Sequence, residues 1–379
     1  MRIRYSTGQN GMPVKKALVY TRDEHKINFE DVDAEAVGII KKLKDSGFET
    51  YIVGGAVRDL ILGKKPKDFD IVSEASPVRI KKIFRNSRII GRRFRLVHVY
   101  FGNRIFEVST FRSLKDGPTS NTFGSIDEDV LRRDFGMNAL FYDPGQQIVV
   151  DYVGGFKDIK QKKVRPIIPL AEIFNDDPVR MIRAVKYAAA TGFALPLRLK
   201  WKIKKQSGLL ASVSASRLTE EIFKIINSPH AAAIVDALDN MGLYCYLQPH
   251  AVKLMRANSG FKKRYLNSLA AMNGESLGAL INDYLEDTTN WTLGTAENYK
   301  AVFAAARSFV LPMNPPRLLL EQSVRRFFAA HGVNIKKSPP IERPAPQAYN
   351  AEARTTPGEV RKRRRRRHKS KTQADRKED

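Results

Sequence analysis

The feature that most narrows the fold of this chain is a change of hydrophobic period near residue 170. Before it, short runs switch between strand-like and helix-like spacing. A helical pattern runs from 34 through Ala36, Ile39, Ile40 and Leu43, and Gly47 closes it. FETYIVGG then reads as a strand entering a glycine turn, AVRDLIL as a helix start, and KDFDIVS as a strand. SPVRIKKIFRN follows as a helix with Ser76 or Pro77 at its start. RLVHVYFG and RIFEVSTFR read as two strands, and Gly102-Asn103 between them is a hairpin signal. DEDVLRRDFGMNALFYD reads as a helix running into a strand, and IVVDYVGG as another strand. Beyond about 170 the strand signals stop, and helical patterns such as DPVRMIRAVKYAAATGF, RLTEEIFKIINS and AAAIVDALDNMG run to about 330. Elements segregated in this way predict an α+β chain, a small mixed-sheet head followed by an all-α neck and body.

The expected boundaries are a polar, poorly ordered N-terminal extension at 1–33, a head at 34–168, a neck at 169–230 and a body at 231–335. Residues 113–126, rich in Gly, Ser, Thr and Pro, predict a flexible loop inside the head. From 336 to 379 the chain is rich in Pro, Arg and Lys with few apolar residues, which predicts a disordered basic tail. The tail holds fifteen Lys and Arg against six Asp and Glu, so most of the net charge of +26 belongs to the folded part. A field of that sign attracts polyanions and points to nucleic acid. One cysteine, Cys245, excludes a disulfide framework and fits a reducing compartment. With no apolar leader and no run long enough to span a bilayer, a cytoplasmic protein without a membrane partner is expected.

Two local constellations carry chemistry. On a strand, Asp68 and Asp70 project from one face while Phe69 turns to the core. Two carboxylates that close repel one another unless a divalent cation lies between them. Hard oxygens with open coordination positions suit Mg²⁺ shared with nucleotide phosphates. A strand end carrying two solvated acids would look the same. Just upstream, Gly54 and Gly55 let the backbone approach a phosphate closely, and Arg58 in the first helical turn could clamp its oxygens. A tight turn with Arg58 paired to an acid is the alternative.

The order of the pieces is more specific than any one of them. GGAVRD, then DFD, EVSTFR (107–112), RRDFGMNAL (132–140) and DDPVRMIRAVKYAA (176–189) together resemble the class II tRNA nucleotidyltransferase and bacterial poly(A) polymerase family, over roughly residues 34–230. The resemblance implies a nucleotidyltransferase head, a nucleotide- and RNA-binding neck and an RNA-binding body. It implies that Asp68 and Asp70 bind metal and that Asp134 is the third catalytic carboxylate, with Glu107 on a neighbouring strand as the competing candidate. Gly54, Gly55, Arg58 and Arg133 match nucleotide-contacting positions. Asp177, Arg180, Arg183 and Lys186 match the series that recognises the incoming base and triphosphate. Their spacing also fits a polar strip drifting round a helix whose opposite side carries Val179, Ile182 and Val185. Surface ion pairs such as Asp177 with Arg180 would give the same spacing.

The activity implied is transfer of AMP from ATP to RNA 3′ ends without a template, assisted by two Mg²⁺ ions and releasing pyrophosphate. The rival activity on the same scaffold is CCA addition to tRNA, and a catalytically inactive RNA-binding protein is a further alternative. GRRFRLVHV (91–99) looks like the polymerase signature, with Arg92, Arg93 and Arg95 as RNA contacts. RKRRRRRHKSK (361–371), including Arg363, Arg364 and Arg365, should grip phosphates without reading sequence. A monomer with RNA-decay partners is expected. Departures from the family pattern bear on nucleotide choice: Gly136 where relatives usually have Thr, RPIIPL (165–170) without the usual glycine, Ile173-Phe174-Asn175 where polymerases usually carry arginines, and Lys186 in place of Arg.

Overall fold

A computed structural model describes residues 2–7, 13–91, 96–113, 122–271, 276–288 and 296–335. The chain separates into two units, Met1–Pro339 and Pro340–Asp379. The second lies outside the described residues, and with it Arg363, Arg364 and Arg365. Arg92, Arg93 and Arg95, and most of the 113–126 loop, also lie outside them.

The strands are β1 (Arg2–Thr7), β2 (Pro13–Tyr20), β3 (Thr50–Val53), β4 (Asp70–Ser73), β5 (Ser87–Ile90), β6 (Leu96–Phe101), β7 (Arg104–Thr110), β8 (Leu140–Asp143) and β9 (Ile148–Asp151). They form one mixed sheet in the order β1-β2-β9-β8-β3-β4-β7-β6-β5. The described pairings are antiparallel except that of β4 with β7. Against the sheet lie α1 (Arg22–His25), α2 (Ala34–Asp45), α3 (Gly55–Ile61), α4 (Pro77–Ile83), α5 (Ile126–Leu131) and α6 (Gly155–Lys160). Helix α2 buries the four residues its period selects, Ala36, Ile39, Ile40 and Leu43. Asp33 caps its start by accepting from the N–H groups of Glu35 and Ala36. One core cluster joins Tyr51, Val53, Val72, Phe141 and Val150 of the sheet to Ile126 and Val130 of α5. After residue 170 the described elements are helical: α7 (Ile173–Asp176), α8 (Val179–Thr191), α9 (Leu197–Gln206), α10 (Ala215–Ile226), α11 (Ala231–Asn240) and six more between Tyr244 and Ala330.

The N-terminal extension differs from the expectation of disorder. β1 and β2 form a hairpin, and β2 joins the sheet by pairing Leu18, Val19 and Tyr20 with Asp151, Val150 and Val149. Backbone ladder bonds to β9, burial of Ala17 and stacking of Tyr20 on Phe156 (centroids 4.0 Å apart) hold a segment whose composition is polar. β5 is equally unmarked in the sequence: Arg88 and the half-buried Ile89 and Ile90 carry little strand signal until β6 pairs with them.

The departure at Gly136 has a packing reason. Asp151 is buried and ties down the start of α6, accepting from the N–H groups of Val153, Gly154, Gly155 and Phe156 at 2.8–3.1 Å. This draws α6 onto the turn at 136–138. A Cβ on Gly155 would overlap the carbonyl oxygen of Gly136, and a Cβ on Gly136 would overlap a carboxylate oxygen of Asp158. A threonine at 136 therefore has no room. Overpacking so close to backbone predicts that Gly155→Ala lowers stability by about 1–3 kcal/mol in urea unfolding. An unchanged unfolding midpoint would show that this approach is not rigid.

Candidate active site

The head brings Asp68, Asp70 and Glu107 to one end of β4. Val53 pairs with Asp70, so the end of β3 and the glycine turn behind it sit beside that carboxylate. Phe69 is buried and the aspartates on either side of it are exposed, the alternation expected of the segment. In the parallel register Ile71 faces Val108, which leaves Glu107 next to Asp70. Asp70 keeps an open side. Even so, burial of its carboxyl raises its pKa, and so does the charge of Glu107. Arg133 pulls the other way, Asp68 raises it further, and Lys224 of α10 lowers it. Glu107 also lies 3.5 Å from Nε2 of His98, its cross-strand neighbour on β6.

Gly54 adopts φ +74°, a left-handed turn that favours glycine, and a Cβ there would touch an Asp70 oxygen at 3.6 Å. Helix α3 starts at once, so Arg58 returns to the same rim. Its guanidinium bonds the Asp59 carboxylate (Nε at 2.9 Å) and the side-chain oxygen of Asn138 (2.8 Å), and it lies over the Tyr187 ring at 5.9 Å. Arg133 pairs with Asp129 at 2.9 Å and donates to the backbone oxygen of Asn138 at 3.4 Å. Asn138 thus holds both arginines. Among the described residues no three acidic, histidine or cysteine side chains form a metal site. The two exposed carboxylates of Asp68 and Asp70, with open positions, are instead a partial donor set that suits an ion completed by water and phosphate oxygens. The crowding of negative charge on Asp70 fits such an ion.

The neck residues are arranged differently from the expected open strip. Asp134 is engaged by two arginines of α8. One of its oxygens accepts from Arg180 Nε at 2.8 Å and the other from Arg183 at 2.9 Å. The turn after α5 brings Asp134 against α8. Arg180 is 5% exposed and also pairs with Asp176. Arg183 bonds Glu221 of α10 at 2.8 Å, and Lys186 bonds the other Glu221 oxygen at 2.8 Å. Asp177 accepts from the Val179 N–H at 3.1 Å and from Arg217 at 2.7 Å. All four members of the expected strip are therefore engaged inside the protein.

Four partners do not stand out in the sequence: Asn138, Arg217, Glu221 and Tyr187. Glu221 has a signal there, an acid on the apolar face of RLTEEIFKIINS beside Leu218, Ile222 and Ile225. Arg217, Glu221 and Lys224 are spaced four and three residues apart, which puts them on one face of α10. That face meets Asp177, then Arg183 and Lys186, and turns Lys224 toward Asp70.

Comparison with known proteins places this head and these helices among similar chains. Residues 50–165 match the family model described as the poly A polymerase head domain, and residues 192–255 match a probable RNA and SrmB-binding site of polymerase A. Poly(A) polymerase I of Escherichia coli O6:H1 is 37% identical over 269 residues, 67% of this chain and 58% of that protein. The CCA-adding enzyme of Geobacillus stearothermophilus is 37% identical over 219 residues, 56% of this chain and 54% of that enzyme. The chain spans a little over half the length of these curated relatives. The Bacillus stearothermophilus CCA-adding enzyme, solved in complex with CTP, superposes with a TM-score of 0.54 at 29% identity, covering 78% of this chain and 82% of that one.

Glu221 is 2% exposed, and although burial works against it, Lys186 and Arg183 hold its carboxyl down to about 2. Its contribution to stability is complete above the unfolded carboxylate value of about 4.3 and is lost as pH falls from there toward 2. Glu221→Gln leaves two cations buried without their anion and should cost about 3–5 kcal/mol. It should also flatten the acid side of the stability–pH curve. Urea unfolding of both proteins at pH 7 and pH 3 checks this, and an unaltered slope would remove Glu221 from the role.

Proposed function

The chain belongs to the nucleotidyltransferase family that holds the poly(A) polymerases and the CCA-adding enzymes, and we propose that it is a poly(A) polymerase adding AMP from ATP to RNA 3′ ends. The observation that carries this reading is the Asp68–Asp70–Glu107 edge of β4 and β7, rimmed by Arg58 and Arg133. Similarity to poly(A) polymerase I over two thirds of the chain and the GRRFRLVHV segment favour AMP addition over CCA addition. The CCA-adding enzymes are equally similar where they align, so CCA addition stays as the second reading.

In this reading Asp68 and Asp70 hold Mg²⁺, which when bound lowers the pKa of the RNA 3′-hydroxyl and screens charge on the departing pyrophosphate. Glu107 takes the place of third carboxylate, because it stands beside Asp70, whereas both oxygens of Asp134 are taken by Arg180 and Arg183. Arg58 and Arg133 clamp phosphate oxygens, held at their working angle by Asn138. Lys224 adds a cation from the neck. Asp134 acts as a positioning residue: by pairing with Arg180 and Arg183 it fixes α8, whose N-terminal Asp177 presents its remaining lone pairs to the base edge. Gly54 and Gly55 leave room for the triphosphate beside Asp70. The head (34–168) supplies chemistry, the neck (169–230) the nucleotide platform and the body (231–335) RNA contacts. The setting is cytoplasmic, and the enzyme acts as a monomer that RNA-decay proteins can join.

The test offers the full chain and Mg²⁺ a generic oligoribonucleotide or a tRNA lacking CCA, each with ATP, CTP or both. Long ATP-only tails on the generic RNA are expected. Addition confined to tRNA and stopping after three nucleotides would establish the CCA reading instead. Asp70→Asn and Glu107→Gln should each lower kcat by about 10³-fold or more with unfolding unchanged. Asp134→Asn should lower thermal stability as well, since it leaves two arginines short of an anion. If Glu107→Gln keeps full activity and Asp134→Asn alone abolishes it without loss of stability, the third carboxylate is Asp134.

A further inference from the structure

Helix α9 carries a surface that its own packing does not explain. Its ten residues, LRLKWKIKKQ, bury Leu199 and Ile203. At about 100° per residue, the side opposite that pair belongs to Trp201, flanked by Leu197, Lys204 and Lys205. A helix of a soluble protein ordinarily places polar residues there. Here Trp201 is 62% exposed and Leu197 81% exposed. The Lys205 ammonium sits over the Trp201 ring at 4.9 Å from its centroid, bracing one side of the indole and leaving the rest of the ring to solvent.

The charge around this apolar island is of one sign. Arg198, Lys200, Lys202, Lys204 and Lys205 lie on the helix, and none forms an ion pair among the described residues. From Pro178 to Thr219 the sequence holds no Asp or Glu at all, so no acid of the flanking chain offsets them. Lys163 is brought to the start of the helix by its bridge to Ala194. At the other end, Gln206 bonds Asn175 of α7 at 3.0 Å, one residue from Asp176 and two from Asp177. The surface therefore ends beside the base-facing end of α8.

We propose that the outer face of α9 is a stacking platform for single-stranded RNA, with a base on the Trp201 indole against Leu197 and the adjoining phosphates on Lys200, Lys204 and Lys205. This rests on the reading that RNA is the acceptor; it adds a surface, a strand state and a mode of contact within the broad 192–255 segment. The chemistry selects that occupant. An exposed aromatic ring ringed by lysines is how proteins hold unpaired nucleotides without reading their sequence, because every base has a π-face. A duplex keeps those faces covered. Two apolar residues inside a lysine ring are too small an island for a protein interface, whose core is depleted in charge.

The sequence contains two tryptophans, Trp201 and Trp291, so Trp291→Phe leaves Trp201 as the only indole. Titration of that full-length protein with an oligoadenylate of about fifteen nucleotides should quench its emission, and the same strand in a duplex should quench it far less. In binding assays Trp201→Ala should weaken oligoadenylate affinity about fivefold to 100-fold, and Trp201→Phe should restore most of it. Lys200→Ala with Lys204→Ala should lower the salt dependence of binding. Unmoved emission with unchanged affinity in Trp201→Ala would overturn the platform, as would equal quenching by duplex. So would self-association relieved by Trp201→Ala, which would make this face a protein interface. AMP addition without quenching would reject the platform alone. Quenching without nucleotide addition under any condition would reject the proposed activity and keep the platform.

Discussion

A chain of buried charge fixes how the carboxylate-bearing rim of the sheet and the helices beside it face each other. Asp134, in the turn that follows α5, meets Arg180 and Arg183 of α8; Arg183 and Lys186 in turn meet Glu221 of α10. Buried ions are expensive unless their geometry is good, and the cost of a misplaced partner is steep. Both Asp134 oxygens and both Glu221 oxygens accept bonds of 2.8 or 2.9 Å, so α8 and α10 have little freedom to slide or turn. The site inherits that rigidity. Tyr187, one residue beyond Lys186, lies under Arg58, with Phe135, the neighbour of Asp134, against its edge at 5.9 Å. The Arg58 guanidinium in the head is thus backed by a ring whose position the ion network sets.

Much of the fold is legible in the sequence because the head obeys simple periods. Ala36, Ile39, Ile40 and Leu43 announce α2, the alternation at Asp68–Asp70 announces the exposed carboxylates, and Gly102-Asn103 announces the β6–β7 hairpin. What escapes is structure made by partners. β1 and β2 become strands because β9 offers a ladder, which local composition does not report. Glu107 and Asp134 are inseparable by pattern, since each is a single acid of the head with the same carboxylate chemistry. The β4–β7 register and the arginines of α8 separate them.

The same physics explains why the spacing of the basic strip misleads. Asp177, Arg180, Arg183 and Lys186 recur every third residue, a pattern equally compatible with a surface that meets a ligand and one that meets another helix. The deciding information sits more than 30 residues away, in Arg217 and Glu221. Lys186 in place of Arg fits the internal role. A single carboxylate oxygen at 2.8 Å is a sufficient partner for an ammonium, and the other oxygen is already taken by Arg183, so a second forked guanidinium would compete for it.

Net charge is therefore a poor guide to where a polyanion binds unless the pairing is known. Arg180, Arg183, Lys186 and Arg217 contribute to the basic composition, yet carboxylates of Asp134, Asp176, Asp177 and Glu221 neutralise them in place. The cations of α9 have no such partners among the described residues, and their field reaches solvent. At physiological salt the screening length is about 8 Å, so only unpaired charges near the strand's path can steer it. The α9 surface, which reaches α7 through the Gln206–Asn175 bond, meets that requirement. It attracts the strand where charge is free, close to a cleft whose own charges are committed to holding its shape.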